Sequence, residues 1–418
     1  MRTSLPSSVP ASIDARLAET DRLLASGYPG DDGARQPVHT VYVPADAFAW
    51  DLPHAWGRAA LAAAGSTGGI ESLARDVGID PDVAAEVAPL VERKLSHEPI
   101  EDLRIDFEDG YGDRGDEAED ADVAHAAEHV ARATDEGTAP PFVGIRFKSF
   151  EAATRARGIR TLDLFVTALA DRGGLPDGLA LTLPKVSTLA QVEAMAEVAA
   201  GLEHALGLPG GRLRFEVQVE TPQLVLGADG VATVARVAHA APGRISGLHF
   251  GTYDYSAALG IAAPEQSLDH PAADHAKLVM QLAAAGTGIR LSDGSSNVLP
   301  IGDRAAEAWR RHARLVRRSL ERGFRQGWDL HPAQLPTRFI ATTAYYREGW
   351  PEAAGRLRHV HERTAGAVLD EPATIRALAG FVHRGVQCGA ITADEVERGT
   401  GLGASALTAL AAPRRAPG

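Results

Sequence analysis

The sequence has almost no cysteine: Cys388 is the single one among 418 residues. One cysteine excludes a disulfide framework and a cysteine-rich metal site. The chain also lacks any run of about 20 consecutive apolar residues, the length that a membrane-spanning helix needs. Its amino-terminal segment lacks the apolar core of a signal peptide. We therefore expect a cytoplasmic protein with no membrane partner.

Basic residues are also scarce. Lysine and arginine number 42 against 55 aspartates and glutamates, which gives a formal net charge of −13. This balance argues against nucleic acid or an anionic membrane as the main partner. Hydrophobic residues make up 45% of the chain, as in folded proteins rather than disordered ones. Residues 101–122 hold eleven acidic side chains and two arginines, a pattern typical of a solvated loop and helix face.

Short apolar runs alternate with longer segments of helical spacing along most of the chain. Eight such runs predict an α/β fold, a (β/α)₈ TIM barrel. A doubly wound sheet would require a glycine-rich turn after the first strand, where the sequence reads VYVPADAF. An antiparallel sheet with one solvated face would give similar side-chain alternation, but the helix-length connections favour parallel strands. The predicted strands are His39–Val43, Leu103–Phe107, Phe142–Phe147, Leu179–Leu183, Leu213–Val219, Ile245–Phe250, Gly288–Leu291 and Gly327–Leu330.

Additional helical segments surround the predicted barrel. We expect an N-terminal helical extension over residues 1–38, a barrel catalytic domain over 39–335, and a C-terminal helical region over 336–418. A helical insertion at 55–97 separates the first two strands. Such additions usually cover the flank of a barrel or contact a partner subunit.

Charged residues occupy every second position of several strands. In residues 213–220, apolar side chains alternate with Arg214, Glu216 and other polar ones. The apolar set faces the helices, so the polar set lies inside the barrel. Because an unpaired buried charge is strongly unfavourable, we expect Arg214 and Glu216 to form internal ion pairs. Charges at carboxyl strand ends instead reach the mouth where barrel active sites lie. These are Glu108, Asp109, Arg146, Lys185, Glu220, Asp254 and His331.

Glu220 and Asp254 end consecutive strands, which are expected to be neighbours in a barrel. Two carboxylates without histidine or cysteine suit a hard cation such as Mg²⁺, with water and substrate oxygens completing an octahedron. By spacing alone this is a weak signal, and helix caps or ion pairs are the alternative interpretation of these two acids.

Seven motifs, in order from Val41 to about Arg338, resemble those of the HpcH/HpaI aldolase and citrate lyase β-subunit superfamily. Members of this superfamily are Mg²⁺-dependent (β/α)₈ carbon–carbon lyases. Each motif alone is weak, but seven in the same order make a specific resemblance. The motifs are VYVPAD, RIDFEDGYG, GIRFKS, LPKVST, EVQVETPQ, LHFGTYDYS and GWDLHPAQ.

The resemblance implies a role for each matching residue. Glu220 and Asp254 would bind Mg²⁺, with Mn²⁺ as an alternative ion. Arg146 would hold the substrate carboxylate or carbonyl oxygen and act in catalysis, and Glu108 and Asp109 would support the metal shell as catalytic residues. For Lys185, the resemblance leaves substrate contact and a structural or helix-capping role equally open. For His331, the following proline indicates the start of a helix.

The implied function is cleavage of a carbon–carbon bond, or the reverse condensation, on a 2-oxo or hydroxy acid through a metal-stabilised enolate. The substrate could also be an acyl-CoA thioester, and the proton-transferring base is not assigned by the sequence. The superfamily usually forms trimers or hexamers, so we expect a homo-oligomer. Two alternatives remain: phosphoryl transfer on phosphoenolpyruvate, with Lys148 and Lys185 holding the phosphate, and a non-catalytic barrel that binds a small acid.

Overall fold

The computed structural model describes residues 4–6, 8–362 and 371–411. Eight parallel strands form a closed barrel in which each strand pairs with the next in sequence and β8 pairs with β1. The predicted (β/α)₈ barrel is thereby confirmed, and the doubly wound and antiparallel alternatives are wrong. The strands are β1 His39–Pro44, β2 Asp102–Asp106, β3 Phe142–Arg146, β4 Leu179–Leu183, β5 Phe215–Val219, β6 Ile245–Phe250, β7 Arg290–Ser295 and β8 Gln326–Asp329.

Helices occupy most of the connections, and several begin at the signals that the sequence carries. Thr188 and Gln191 form a capping box at the start of α7, and Asp80 caps α4 directly before a proline. The helices are α1 Ser8–Gly27, α2 Leu52–Gly65, α3 Ile70–Asp76, α4 Pro81–His97, α5 Asp116–Asp135, α6 Arg155–Ala170, α7 Leu189–Ala205, α8 Pro222–Val225, α9 Val237–Ala240, α10 Thr252–Ala258, α11 Pro271–Ala284, α12 Ala305–Glu321, α13 Leu335–Glu362, α14 Pro372–Gln387, α15 Ala393–Thr400 and α16 Ala404–Ala411. Among the described residues, no helix combines the length and apolar character needed to cross a bilayer.

Helices α2, α3 and α4 fill the long connection between β1 and β2. The buried residues of α4 recur every three or four positions, for example Val87, Val91 and Leu95, so one face of the helix is apolar. That face packs against α13, which follows β8 and also contacts α12. Helix α13 therefore joins the insertion to the ring of helices around the barrel.

The carboxyl-terminal helices have an apolar core of their own. Side chains of α13, α14, α15 and α16 form a separate buried cluster that includes Leu357, Val382 and Leu407. The start of α13 is fixed to the barrel by Arg338, whose Nε donates to Oδ2 of Asp329 at 3.0 Å. The end of β8 thus determines where this helical region begins.

Polar side chains lie inside the barrel, as the alternation predicts. Arg104 is fully buried there, and its guanidinium pairs with Asp102 and with Oε1 of Glu216 at 2.8 Å. The prediction that Glu216 forms an internal ion pair is confirmed. The same prediction is wrong for Arg214, which is exposed and donates to the carbonyl of Ile245 at 3.4 Å. Arg214 precedes the first residue of β5, so it lies outside the barrel interior.

Candidate active site

The six predicted site residues all lie at one mouth of the barrel. Arg146 is the last residue of β3, Lys185 and Glu220 follow β4 and β5, and Glu108 follows β2. Parallel strands in a closed barrel direct all their carboxyl ends to the same side, which brings these side chains together. The remaining two are Asp109 and Asp254 of α10, and both accept hydrogen bonds from the Lys185 ammonium.

Arg146 is held rigidly beneath this mouth. Its Nε and Nη2 donate to the two carboxylate oxygens of Asp106 at 2.7 and 2.6 Å, and Nη1 lies 3.4 Å from Oε2 of Glu108. The guanidinium also lies over the ring of Tyr42, 4.9 Å from its centroid. Burial opposes the charged form, but Asp106 outweighs it and raises the pKa of Arg146 well above its usual value. Arg146 is therefore a fixed positive charge.

Asp106 is the site residue that the sequence predictions missed. Besides binding Arg146, its carboxylate accepts the backbone N–H groups of Glu108 at 3.0 Å and Gly110 at 2.9 Å. A Cβ atom at Gly110 would lie 2.6 Å from Oδ2 of Asp106, so a glycine is needed at that position. The available signal was its position on β2, two residues before Glu108 and on the same face.

Lys185 contacts four carboxylates that follow three different strands. Its φ is 51°, the only left-handed value at a non-glycine among the described residues. This conformation lets its backbone N–H donate to Oε1 of Glu220 at 2.6 Å. Its Nζ lies 2.9 Å from Oε1 of Glu108, 2.8 Å from Oδ2 of Asp109 and 3.4 Å from Oδ2 of Asp254. Burial lowers the pKa of Lys185, but Glu220 and Glu108 outweigh it and the net effect is a raised pKa.

The mouth carries more negative than positive charge. Burial raises the pKa of Glu220 to about 7; Lys185 and Arg146 oppose this rise without cancelling it, and repulsion from Asp254 and Glu108 adds a smaller contribution to it. Burial likewise raises the pKa of Glu108 to about 7, and repulsion from Asp109 adds to it. A further cation would relieve this excess. The carboxylates are Asp106, Glu108, Asp109, Glu220 and Asp254, and the cations are Arg146 and Lys185.

The donor set fits a hard divalent ion held by few protein ligands. Within the described residues, no three histidines, cysteines or carboxylates form a closed metal-binding group. Magnesium is commonly bound by only one or two carboxylates, with water and substrate in the other positions. Glu220 is 2% exposed, whereas the Asp254 side chain is 48% exposed, so one oxygen donor is fixed and one faces the opening. A Cβ at Gly251 would lie 2.4 Å from Cβ of Glu220, so a glycine is required beside this carboxylate.

Several interior polar atoms have no hydrogen-bond partner in the described part of the chain. They are carried by β1, β5, β6 and β8, and all are buried. Buried polar groups in proteins are satisfied by ordered water or by a ligand when no protein group reaches them. The barrel interior thus offers hydrogen-bonding capacity near Arg146. The atoms are Tyr42 Oη, Gln218 Oε1 and Nε2, His249 Nδ1 and Trp328 Nε1.

Two further residues singled out by the sequence have local structural partners. His331 accepts a hydrogen bond from the backbone N–H of Ala333 at 3.1 Å and so begins a short helical turn, as the following proline indicates. Lys148 donates to the carbonyls of Phe107 and Gly112 and lies 2.6 Å from Oε2 of Glu119. Neither side chain is directed to the carboxylate cluster by these contacts.

Two solved structures have the same fold as this chain. A citrate lyase from Burkholderia xenovorans LB400 superposes with a TM-score of 0.57 at 20% identity, over 88% of this chain and 97% of that one. Malate synthase from Haloferax volcanii gives a TM-score of 0.50 at 14% identity, over 90% of this chain and 96% of that one. Both structures support the barrel fold that the resemblance implies.

Comparison of the sequence, rather than the structure, identifies one family. No curated protein matches the chain. The sequence model of one family, described as a domain of unknown function, DUF6986, matches residues 17–415. Because this match spans nearly the whole sequence, the chain belongs to the DUF6986 family.

Proposed function

We propose that this protein is a Mg²⁺-dependent carbon–carbon lyase, or the corresponding condensing enzyme, acting on a 2-oxo or hydroxy acid. We also propose that the acid can be bound as its acyl-CoA thioester. One observation carries the proposal: a rigid arginine and an excess of carboxylates share one buried mouth of a barrel. Substrates of this class need a cationic contact for their carboxylate and a hard cation for their oxygens.

The chain's part in binding the ion is assigned to Glu220 and Asp254. Bound there, Mg²⁺ would act as a Lewis acid that polarises a substrate carbonyl and stabilises developing negative charge. The backbone N–H of Lys185 fixes the orientation of the Glu220 carboxylate at 2.6 Å. Asp254 lies on the exposed side of the mouth and would supply the second oxygen donor.

Arg146 is the proposed contact for the substrate carboxylate. A guanidinium has five N–H donors, and the Asp106 carboxylate accepts from only two of its nitrogens. The remaining donors can bind a second carboxylate. Asp106 positions the arginine without filling its capacity, so the positive charge is preorganised before substrate arrives, which is the arrangement that favours charge development in a transition state.

Lys185 and Glu108 are proposed as the pair of side chains that carries a transferable proton close to the bound substrate. Nζ of Lys185 lies 2.9 Å from Oε1 of Glu108, so a proton can be shared along this contact. Asp109 accepts from the same ammonium at 2.8 Å and keeps it oriented. In this role, Lys185 acts on the carboxylates rather than as a helix cap.

The phosphoenolpyruvate alternative loses support from these contacts. It required Lys148 and Lys185 to hold a phosphate. Lys148 is engaged by two carbonyls and Glu119, and Lys185 is engaged by three carboxylates. A phosphate at this mouth would meet an excess of negative charge.

The proposal is tested by a substrate screen in the presence of Mg²⁺. Glyoxylate, pyruvate and oxaloacetate are combined with short acyl-CoA thioesters, and both cleavage and condensation are followed. We expect Glu220→Gln to lower turnover by at least about a hundredfold. Glu197→Gln, the same substitution at an exposed position of α7, should leave turnover unchanged.

Two results would contradict the proposal. Near-normal turnover in Glu220→Gln would remove Glu220 from the site. Binding of Mg²⁺ by calorimetry without cleavage or condensation across the panel would instead favour a barrel that only binds a small acid. Mass measurement of the purified protein in the same preparations tests the proposed homo-oligomer.

A further inference from the structure

A group of arginines lies at the opposite mouth of the barrel. Arg290 is the first residue of β7, Arg325 directly precedes β8, and Arg214 directly precedes β5. Amino ends of parallel strands open on the side away from the candidate active site. A strand of five or six residues separates the two mouths by about 15–20 Å. Arg384 of α14 completes the group, which we call the amino-end arginine cluster.

Three members of the amino-end arginine cluster line one cavity. Arg290, Arg325 and Arg384 surround a space of about 290 Å³. A neighbouring cavity of about 590 Å³ is also lined by Arg325 and Arg384, and Tyr345 and Tyr346 form part of its wall. Together they have the size of ordinary small-molecule sites. Arg325 and Arg384 line both spaces.

Two of these arginines lack an anionic partner. Within the described residues, neither the Arg290 nor the Arg325 guanidinium forms a hydrogen bond or an ion pair, although both side chains are half-buried. The Arg290 guanidinium lies over the ring of Phe142, 5.6 Å from its centroid. Burial lowers the pKa of Arg325 to about 10, and the charge of Arg384 adds to the effect. Burial also lowers the pKa of Arg290, with a contribution from Arg214. These two cations are therefore held close to other arginines, and Asp31 and Asp32 act on them only at longer range.

The counter-charges at this mouth are too few. Asp31 pairs with Arg384, and Asp32 interacts with Arg290 only at longer range. Four arginines against two aspartates leave a net charge of +2. A phosphate group carries a charge close to −2 at neutral pH and accepts forked hydrogen bonds from guanidinium groups.

Residues 30–36 contribute to the lining of the cavity and are held by hydrogen bonds on two sides. The backbone N–H of Gly30 donates to the carbonyl of Gly286 at 2.7 Å, and Nε2 of Gln36 donates to the carbonyl of Leu291 at 3.0 Å. On the other side, Nε2 of Gln387 donates to the carbonyl of Gly33 at 2.8 Å. These hydrogen bonds hold one wall of the cavity in place.

We propose that Arg290, Arg325 and Arg384 form a binding site for a phosphate group at the amino-end mouth, separate from the catalytic end. The phosphate is either free or the terminal group of a phosphorylated metabolite whose organic part occupies the cavity beside Tyr345. Such a site is independent of the proposed lyase activity. Its ligand would act on the enzyme from a distance rather than as substrate.

Calorimetric titration of the full chain without added metal tests this site. Inorganic phosphate, AMP and succinate are the three probes. We expect saturable binding of one phosphate group per chain, and at least a tenfold loss of affinity in both Arg290→Gln and Arg325→Gln. Arg322→Gln is the matched control, since Arg322 is close in sequence but pairs with Asp274 at 2.8 Å outside the cavity.

The probes separate the two sources of phosphate. Tighter binding of AMP than of inorganic phosphate supports a phosphorylated metabolite, and equal binding supports the free ion. No saturable binding of either probe would overturn the proposal, as would binding that both cavity variants retain. Succinate binding in place of phosphate would also overturn it. Thermal unfolding of each variant tests whether a loss of affinity comes from a loss of fold.

Discussion

The two mouths of this barrel carry opposite net charge, and they differ in whether their arginines and lysines form ion pairs. At the carboxyl end, Arg146 and Lys185 are each surrounded by carboxylates. At the amino end, Arg290 and Arg325 have no ion-pair partner in the part of the chain that the structure describes. The same closed sheet therefore presents an acidic site and a basic site on opposite sides.

The comparison of paired and unpaired arginines shows which counter-charge each mouth lacks. A buried cation with a bidentate carboxylate, such as Arg146 with Asp106, is satisfied within the protein and serves to orient other groups. A half-buried cation without a partner is satisfied only by solvent or by an anion from outside. The acidic mouth thus needs a cation, and the basic mouth needs an anion.

The largest expected difference between the mouths is in stability. Arg146→Gln leaves the buried Asp106 carboxylate without its main counter-charge, and we expect a loss of about 3–5 kcal/mol in the free energy of unfolding. Arg325→Gln removes a cation that has no partner, so we expect a change below about 0.5 kcal/mol or a slight gain. Urea unfolding of both variants, without metal or phosphate, measures the difference. Equal losses would show that the two arginines do not differ in the way described.

The next effect is a pH dependence at the acidic mouth. The pKa of Glu220 is raised from 4.5 to about 7 in the folded protein. A carboxyl with a raised pKa stabilises the fold when protonated, and this contribution disappears as pH rises from 4.5 to 7. Relative to wild type, Glu220→Gln should therefore gain about 2 kcal/mol of unfolding free energy between pH 5 and pH 8 in metal-free buffer. Glu197→Gln serves as the control, and a flat difference for Glu220→Gln would contradict the raised pKa.

The sequence predicted the fold because each strand carries its own signal. Apolar runs of about five residues, separated by helix-length segments, define a parallel barrel whatever the details of the loops. Two strand boundaries differ from the prediction: the strand predicted from residue 213 begins at Phe215, and the one predicted from residue 288 begins at Arg290. That shift at β5 is why Arg214 lies outside the barrel and not in an internal ion pair.

Within the candidate site, the sequence located the side chains but not their partners. Strand ends place Arg146, Glu220 and the others at one mouth, since every parallel strand ends on the same side. The role of Asp106 depends on a contact between β2 and β3, and that of Lys185 depends on a left-handed backbone angle. Neither is encoded in local spacing. The amino-end arginine cluster is likewise assembled from four distant segments, so no local pattern could indicate it.

The smallest expected effect tests whether the two mouths act independently. Sites farther apart than about 10 Å that share no partner usually have additive effects within about 0.5 kcal/mol. We therefore expect the unfolding free energy of Glu220→Gln combined with Arg325→Gln, at pH 8, to equal the sum of the single changes within that range. Glu220→Gln combined with Lys185→Met is the matched comparison, because the Lys185 backbone N–H contacts Glu220 at 2.6 Å and its charge acts on the same carboxylate. That pair should deviate from additivity by more than about 0.5 kcal/mol. Coupling of similar size in both pairs would show that the acidic and basic mouths are linked through the barrel and do not act independently.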